Sequence, residues 1–291
     1  MRLFQKILFN GLCLGILFAM LVGPVNAAGE WNLVLQLSVD HPTTMTGFQN
    51  DRFGITVGFA GETHYTNDAG KTWPEGNNQS QCRYGLEIVN ENVAWSSGNG
   101  ANIRYTTDGG VNWQWAQDFG SFVPSHCRYL SFIDARTGWA ATNNKLGFTN
   151  DQGKNWQVVT LPAELTTIKA IHLRTAQDGY LLDQNGVFFW THDAGKSWRQ
   201  VALGLNVAEY YLRPSNTPTA ALRFSDADHG VIIVRQLQPV GQWIQMITAD
   251  GGKTWNRQAA PGNIGTIFLT RDGKYVTITD TMGVIEVYQR N

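Results

Sequence analysis

Two groups of residues recur at spacings that could carry chemistry. Five aspartates, Asp68, Asp108, Asp151, Asp193 and Asp250, hold the same place in a repeated phrase: TNDAGKTW, TTDGGVNW, TNDQGKNW, THDAGKSW and TADGGKTW. A repeated carboxylate is a candidate acid or base, but it also accepts hydrogen bonds from the N–H groups of a turn, and the Gly two places later supplies the positive φ that closes such a turn. The tryptophan three residues beyond that Gly then folds back on the hairpin, where burying its ring is worth about 2 kcal/mol or more. Trp73, Trp113, Trp156, Trp198 and Trp255 therefore read as fasteners, and the aspartates as turn builders.

The second group is cationic. Arg83 in QCRYGLEI, Arg128 in HCRYLSFI and Lys169 in IKAIHL stand at equivalent points of successive repeats. Side by side they would form an arc able to hold a carboxylate or an acidic side chain, the guanidinium forks adding geometric specificity. The alternative is that each arginine stacks on Tyr84 or Tyr129 or pairs locally. Cys82 and Cys127 precede the two arginines; a bridge needs Cα atoms about 4.4 to 6.8 Å apart, and two buried thiols are the alternative. Two lengthened segments, RQVALGLNVAEYYLRPSNTPT and RQLQPVGQW, bring Tyr210, Tyr211, Arg213, Arg235 and Trp243, residue types of binding hot spots. A stiff lid packing its tyrosines on the rim is the competing reading. Asp183 and Asp280 read as turn residues.

These groups need a frame, and the intervals between the aspartates supply it. They are 40, 43, 42 and 57 residues, the scale of a four-stranded propeller blade. Within each period short aromatic and β-branched runs such as LSFID, GWAAT and KLGFT alternate with Asp, Asn and Gly turns, as strands do, with no sustained helical periodicity. After the last phrase GTIFLT, KYVTITD and GVIEVYQR supply three strands and the sequence stops. Near the start, Trp31 opens WNLVLQL as a tryptophan opens the strand after each phrase. Pairing this segment with the last three strands closes the ring and removes two sheet edges. The expected fold is an all-β six-bladed β-propeller, its phrases on one face and the starts of its innermost strands, with the cationic arc, on the other.

The motif S/T-x-D-x-G-x-x-W resembles the Asp-box, or BNR repeat, of sialidases, xyloglucan-degrading glycosidases, sortilin-type receptors and the photosystem II stability/assembly factor family. The resemblance covers nearly all of residues 28–291. It implies that the boxes lie on the rim, away from a central site, and that no box aspartate is catalytic. A sialidase-like glycoside hydrolase would carry an Arg-Ile-Pro motif, which is missing; Arg213-Pro214 is the only Arg-Pro and falls in the insertion. The assembly-factor group is similar in its export signal, box spacing and inner-strand arginines, although its members are usually seven-bladed.

Arg2 and Lys6 precede an apolar run from Ile7 to Val22, followed by small residues before Ala28, so residues 1–27 are expected to be a signal peptide and 28–291 a single propeller domain. An uncleaved anchor is the alternative, although the run holds Asn10 and is shorter than the ~20 residues of a spanning helix. Without the signal the charge is −3, from 20 Lys and Arg against 23 Asp and Glu, unlike a nucleic-acid binder. Two cysteines do not make a Cys/His metal site, and no cofactor motif occurs. The sequence thus points to a secreted or periplasmic, monomeric, non-catalytic module with a protein partner, the hydrolase being the alternative.

Overall fold

The computed structural model describes residues 31–39, 43–58, 60–77, 83–98, 103–116, 127–205, 208–210, 220–237, 242–261, 265–280 and 283–291, with the side chains of Arg83 and Tyr84 outside that description. None of the described elements is a helix. The chain opens with β1 (Trp31–Ser38). Blade 1 is β2 (Met45–Phe48), β3 (Gly54–Val57) and β4 (Thr63–Thr66); blade 2 is β5 (Arg83–Ile88), β6 (Ala94–Gly98), β7 (Ile103–Thr106) and β8 (Gln114–Trp115). Blade 3 is β9 (Tyr129–Phe132), β10 (Gly138–Ala141), β11 (Leu146–Thr149) and β12 (Gln157–Val159). Blade 4 is β13 (Ile168–Leu173), β14 (Gly179–Asp183), β15 (Val187–Thr191) and β16 (Arg199–Ala202). Blade 5 is β17 (Ala220–Phe224), β18 (His229–Arg235), β19 (Trp243–Ala249) and β20 (Asn256–Ala260). Blade 6 is β21 (Thr266–Leu269), β22 (Tyr275–Thr279) and β23 (Val284–Arg290).

The sixth sheet has the order β1-β23-β22-β21, so the beginning of the described chain supplies the outer strand of the last blade. Its register runs antiparallel from Trp31 opposite Arg290 to Ser38 opposite Val284, with one irregularity between Leu33 and Leu35. Trp31 is buried among Val231, Ile233 and Trp243 of blade 5, and its indole N–H donates to Gln245 Oε1 at 2.9 Å. Ring closure is thus as the repeat count requires, with six blades. Blade 1 departs from the four-stranded pattern. Past its box the ladder is reduced to a bridge between His64 and Glu75, because Pro74, which leads this segment, has no N–H to give to a ladder.

The boxes form one repeated structure. In the first, Thr66 Oγ1 donates to Asp68 Oδ1 at 2.8 Å and accepts the N–H of Gly70 at 2.9 Å, while Asp68 accepts the N–H and hydroxyl of Thr72 at 3.0 and 2.8 Å. The same pattern recurs around Asp108, Asp151, Asp193 and Asp250, with the side-chain donor an asparagine amide at the first two and a hydroxyl at the last two. Both residues after the aspartate have positive φ, for example Ala194 at 61° and Gly195 at 82°. The first also donates its N–H to the turn between the two innermost strands of its own blade, as Ala194 does to Gln177 O at 2.9 Å.

The tryptophans correct one expectation. They do not merely fold onto their own hairpin; they wedge between blades. Trp255 meets Phe188 of blade 4 with ring centroids 5.0 Å apart and Phe224 of blade 5 at 6.0 Å, and Trp198 reaches Trp139 of blade 3 at 6.1 Å. Trp73 packs against Phe48 and the β23 residues Ile285 and Val287, Trp156 against Trp95 and Phe132, and Trp113 is buried beside Phe53 and Ile55. Trp31 repeats the contact for blade 6 without a box.

Candidate functional site

The inner strands β2, β5, β9, β13, β17 and β21 line the central channel. Their starts and ends carry different chemistry. At the starts, on the face opposite the boxes, Arg128 and Lys169 come from neighbouring blades. Lys169 is 2% exposed; burial and then the Arg128 charge push its ammonium down to about 8. Tyr129, beside Arg128, has its phenol pushed up to about 12 by burial, with Arg128 pulling the other way. Arg83 lies on the adjacent β5, but its side chain lies outside the described residues.

At the ends of the same strands the channel is closed by a ring that the sequence reading missed. The penultimate inner-strand positions are Gly47, Glu87, Ser131, His172, Arg223 and Phe268. Glu87 of blade 2 and Arg223 of blade 5 meet, Arg223 Nη2 donating to Glu87 Oε2 at 2.5 Å. Arg223 also donates from Nε to Leu269 O at 3.1 Å and from Nη1 to Leu222 O at 3.0 Å. Arg271 of blade 6 lies 3.6 Å from Glu87 Oε1 and donates to Phe132 O at 2.5 Å and Leu173 O at 3.0 Å. Burial pushes the Glu87 carboxyl up, and the two guanidiniums pull it back. Burial, Arg271 and Arg223 hold His172 well below the usual imidazole value, so its ring is neutral, with Nε2 3.1 Å from Phe224 O. Five blades are therefore joined through one polar hub. Its signal was present in the sequence as single charges inside the apolar runs LEI and LRF.

The remaining candidates fall elsewhere. Tyr210 is 1% exposed and packs with Tyr180, Phe188, Trp190 and Phe224, and Trp243 is 1% exposed in the core shared by blades 5 and 6. Neither presents its ring as an exposed anchor, because the two lengthened segments meet each other: Tyr210 bridges to Gln236 and the Leu237 N–H donates to Glu209 O at 2.7 Å. This fits the lid alternative. Arg235 ends β18 opposite Trp243 and is partly buried. Tyr211, Arg213 and Cys82 lie outside the described residues. Cys127 is a free, fully buried thiol, pushed up to about 12 by burial. Asp183 builds a turn, accepting the N–H groups of Asn185 and Val187 at 2.9 Å. The box carboxylates are held below their ordinary range by hydrogen bonds within each turn, Asp151, Asp193 and Asp250 to about 2, which suits acceptors and not proton-transfer groups.

A cavity of about 50 Å³ remains inside the channel, lined by residues of all six blades' inner strands, with Arg128 and Arg223 its charged members. It has room for water but not for a sugar ring. No group of His, Cys, Asp and Glu suited to a metal ion occurs among the described residues, and no helix among them is long and apolar enough to cross a membrane.

Six sheets around a channel, five rim boxes and a charged hub define an Asp-box propeller. Residues 123–281, more than half of the chain, match the family of Photosynthesis system II assembly factor YCF48. The chain belongs to that family, as the box pattern had suggested. It is similar to YCF48 bound to D1 peptide (TM-score 0.58, 16% identity, covering 92% of this chain and 99% of that one). It shares its fold with a catalytically inactive virginiamycin B lyase from Staphylococcus aureus (TM-score 0.57, 11% identity, 85% of this chain and 80% of that one). The fold also recurs in the GH74 enzyme of Niastella koreensis (TM-score 0.53, 12% identity, 82% of this chain and 43% of that one). A search of curated proteins found no match.

Proposed function

We propose that the chain is an exported, non-catalytic propeller that binds a carboxylate-bearing segment of a protein partner through the face opposite the Asp-boxes. The observation that carries this reading is the juxtaposition of Arg128 and Lys169 at the open end of the channel, close enough for Arg128 to depress the lysine. A buried lysine beside an arginine on the neighbouring strand concentrates positive charge at that end of the channel, and a carboxylate placed there is attracted to both. Arg83 on the adjoining strand is taken as the third member of the arc. Membership of an assembly-factor family, and a relative of the same fold bound to a peptide, support a polypeptide as the ligand. The leader-like residues 1–27 support export, to the periplasm or outside the cell. The narrow channel and the acceptor role of the box aspartates favour binding over glycoside hydrolysis.

The test is a pull-down from the envelope fraction of the exporting cell with the wild-type protein and with Arg83→Glu/Arg128→Glu. Loss of one specific partner supports the reading, and retention of that partner refutes it. Turnover of any fluorogenic glycoside by the purified protein would replace it with the hydrolase.

A further inference from the structure

A second cavity, of about 180 Å³, opens on the Asp-box face between blades 5 and 6. Arg223 lines both this cleft and the channel cavity, so it stands between them. We infer that the cleft is a binding site for a small free anion carrying carboxylate or phosphate oxygens, with Arg223 at its base and Arg290 on its wall.

Charge is the first argument. The hub sets two guanidiniums, Arg223 and Arg271, against one buried carboxylate, Glu87, with the exposed Asp134 a lesser influence on Arg271. The buried part of the hub therefore leans positive, and an anion arriving from the cleft offsets that balance. Donor count is the second. A guanidinium has five N–H groups; Arg223 commits one each to Leu269 O, Leu222 O and Glu87, leaving two for a ligand. The one carboxylate among the described wall residues, Asp272, does not oppose this strongly. Its Oδ1 is held in its own turn by the hydroxyl of Thr270 at 2.7 Å and the N–H of Lys274 at 3.0 Å, and Lys274 Nζ lies 3.9 Å from Oδ2. The neighbouring Asp226 is likewise engaged, with His229 Nδ1 3.0 Å away. Space is the third. A Cβ on Gly273 would come no closer than 4.0 Å to any atom, that of Val231 Cγ1, so a glycine wall leaves the cleft open.

The experiment is calorimetric titration of the full chain with inorganic phosphate, with succinate and with chloride, at constant ionic strength and pH 7. Ser225 is exposed at the rim, so Ser225→Tyr fills the cleft without touching the hub, and melting curves check that it folds. Saturable binding of phosphate or succinate, weakened at least tenfold by Ser225→Tyr and severalfold by Arg290→Gln, is the expected result. Three outcomes overturn the inference: no saturable heat with either oxygen anion, heats unchanged by Ser225→Tyr, or chloride binding as tightly as both. Loss of anion binding in Ser225→Tyr with the partner still captured in the pull-down, or the reverse in Arg83→Glu/Arg128→Glu, separates failure here from failure of the partner-binding reading.

Discussion

Glu87 and Arg223 stand on opposite sides of the ring, in blades 2 and 5, and are joined through the channel by a 2.5 Å hydrogen bond. Removing one member of a buried pair leaves the other uncompensated, at a cost of about 3–5 kcal/mol. Glu87→Ala should lose that much in denaturant unfolding, since it strands two guanidiniums. The double variant Glu87→Met/Arg223→Met should lose clearly less than the sum of the single changes. Additive losses would mean the pair does not couple the blades.

The interblade role of the boxes can be separated from their turn chemistry with two glycines. Gly195 has φ 82° and a Cβ there would sit 2.3 Å from Val159 Cγ1 of blade 3; Gly204 has φ 68° with nothing within 4 Å. Gly204→Ala should cost about 1 kcal/mol from the backbone alone. Gly195→Ala should exceed it by about 1–3 kcal/mol, the cost of overpacking. Equal losses in thermal unfolding would mean that the close approach of Gly195 to blade 3 contributes nothing to the joint between the blades.

The box carboxylates also set an acid limit. Asp151, Asp193 and Asp250 lie near 2 in the folded chain, below the ordinary value of about 3.9. The unfolded chain therefore binds more protons between about pH 4 and 2, and stability falls as pH drops through that window. Asp193→Asn should be less stable at pH 7 and flatter in its dependence from pH 4 to 2; a wild-type slope in that variant would contradict the assignment.

Lys169 acts in the opposite range. Its folded value of about 8 lies below the ordinary 10.5, so between those values the native state binds fewer protons and stability rises with pH. As the ammonium deprotonates, its attraction for a carboxylate is lost. Affinity for an acidic peptide should therefore fall severalfold from pH 7 to 9.5, and Lys169→Arg should abolish that fall. The same pH dependence in the arginine variant would place the titrating group elsewhere.

Fold was far more legible than site, for a physical reason. Every box must satisfy the same turn and wedge its tryptophan between its own sheet and a neighbouring one, so local chemistry repeats and the period shows through. Trp31 could be matched to its strand because it does the same packing task. The hub is assembled from single positions more than 40 residues apart, each used once, so Glu87, His172 and Arg223 show no local pattern. Tyr210 and Trp243 misled because an aromatic in a long segment looks the same whether it anchors a partner or fastens two loops. The positive φ after each box aspartate was hidden because Ala69, Gln152 and Ala194 adopt it as Gly109 and Gly251 do.

The most direct test of the central claim is binding of a fluorescent acidic peptide, followed by anisotropy across a salt series. The wild type should bind saturably and weaken steadily with salt, and Arg83→Glu/Arg128→Glu, folded by circular dichroism, should weaken it at least tenfold with a shallower salt dependence. Binding of equal strength and equal salt dependence in that folded variant would contradict a cationic partner-binding face.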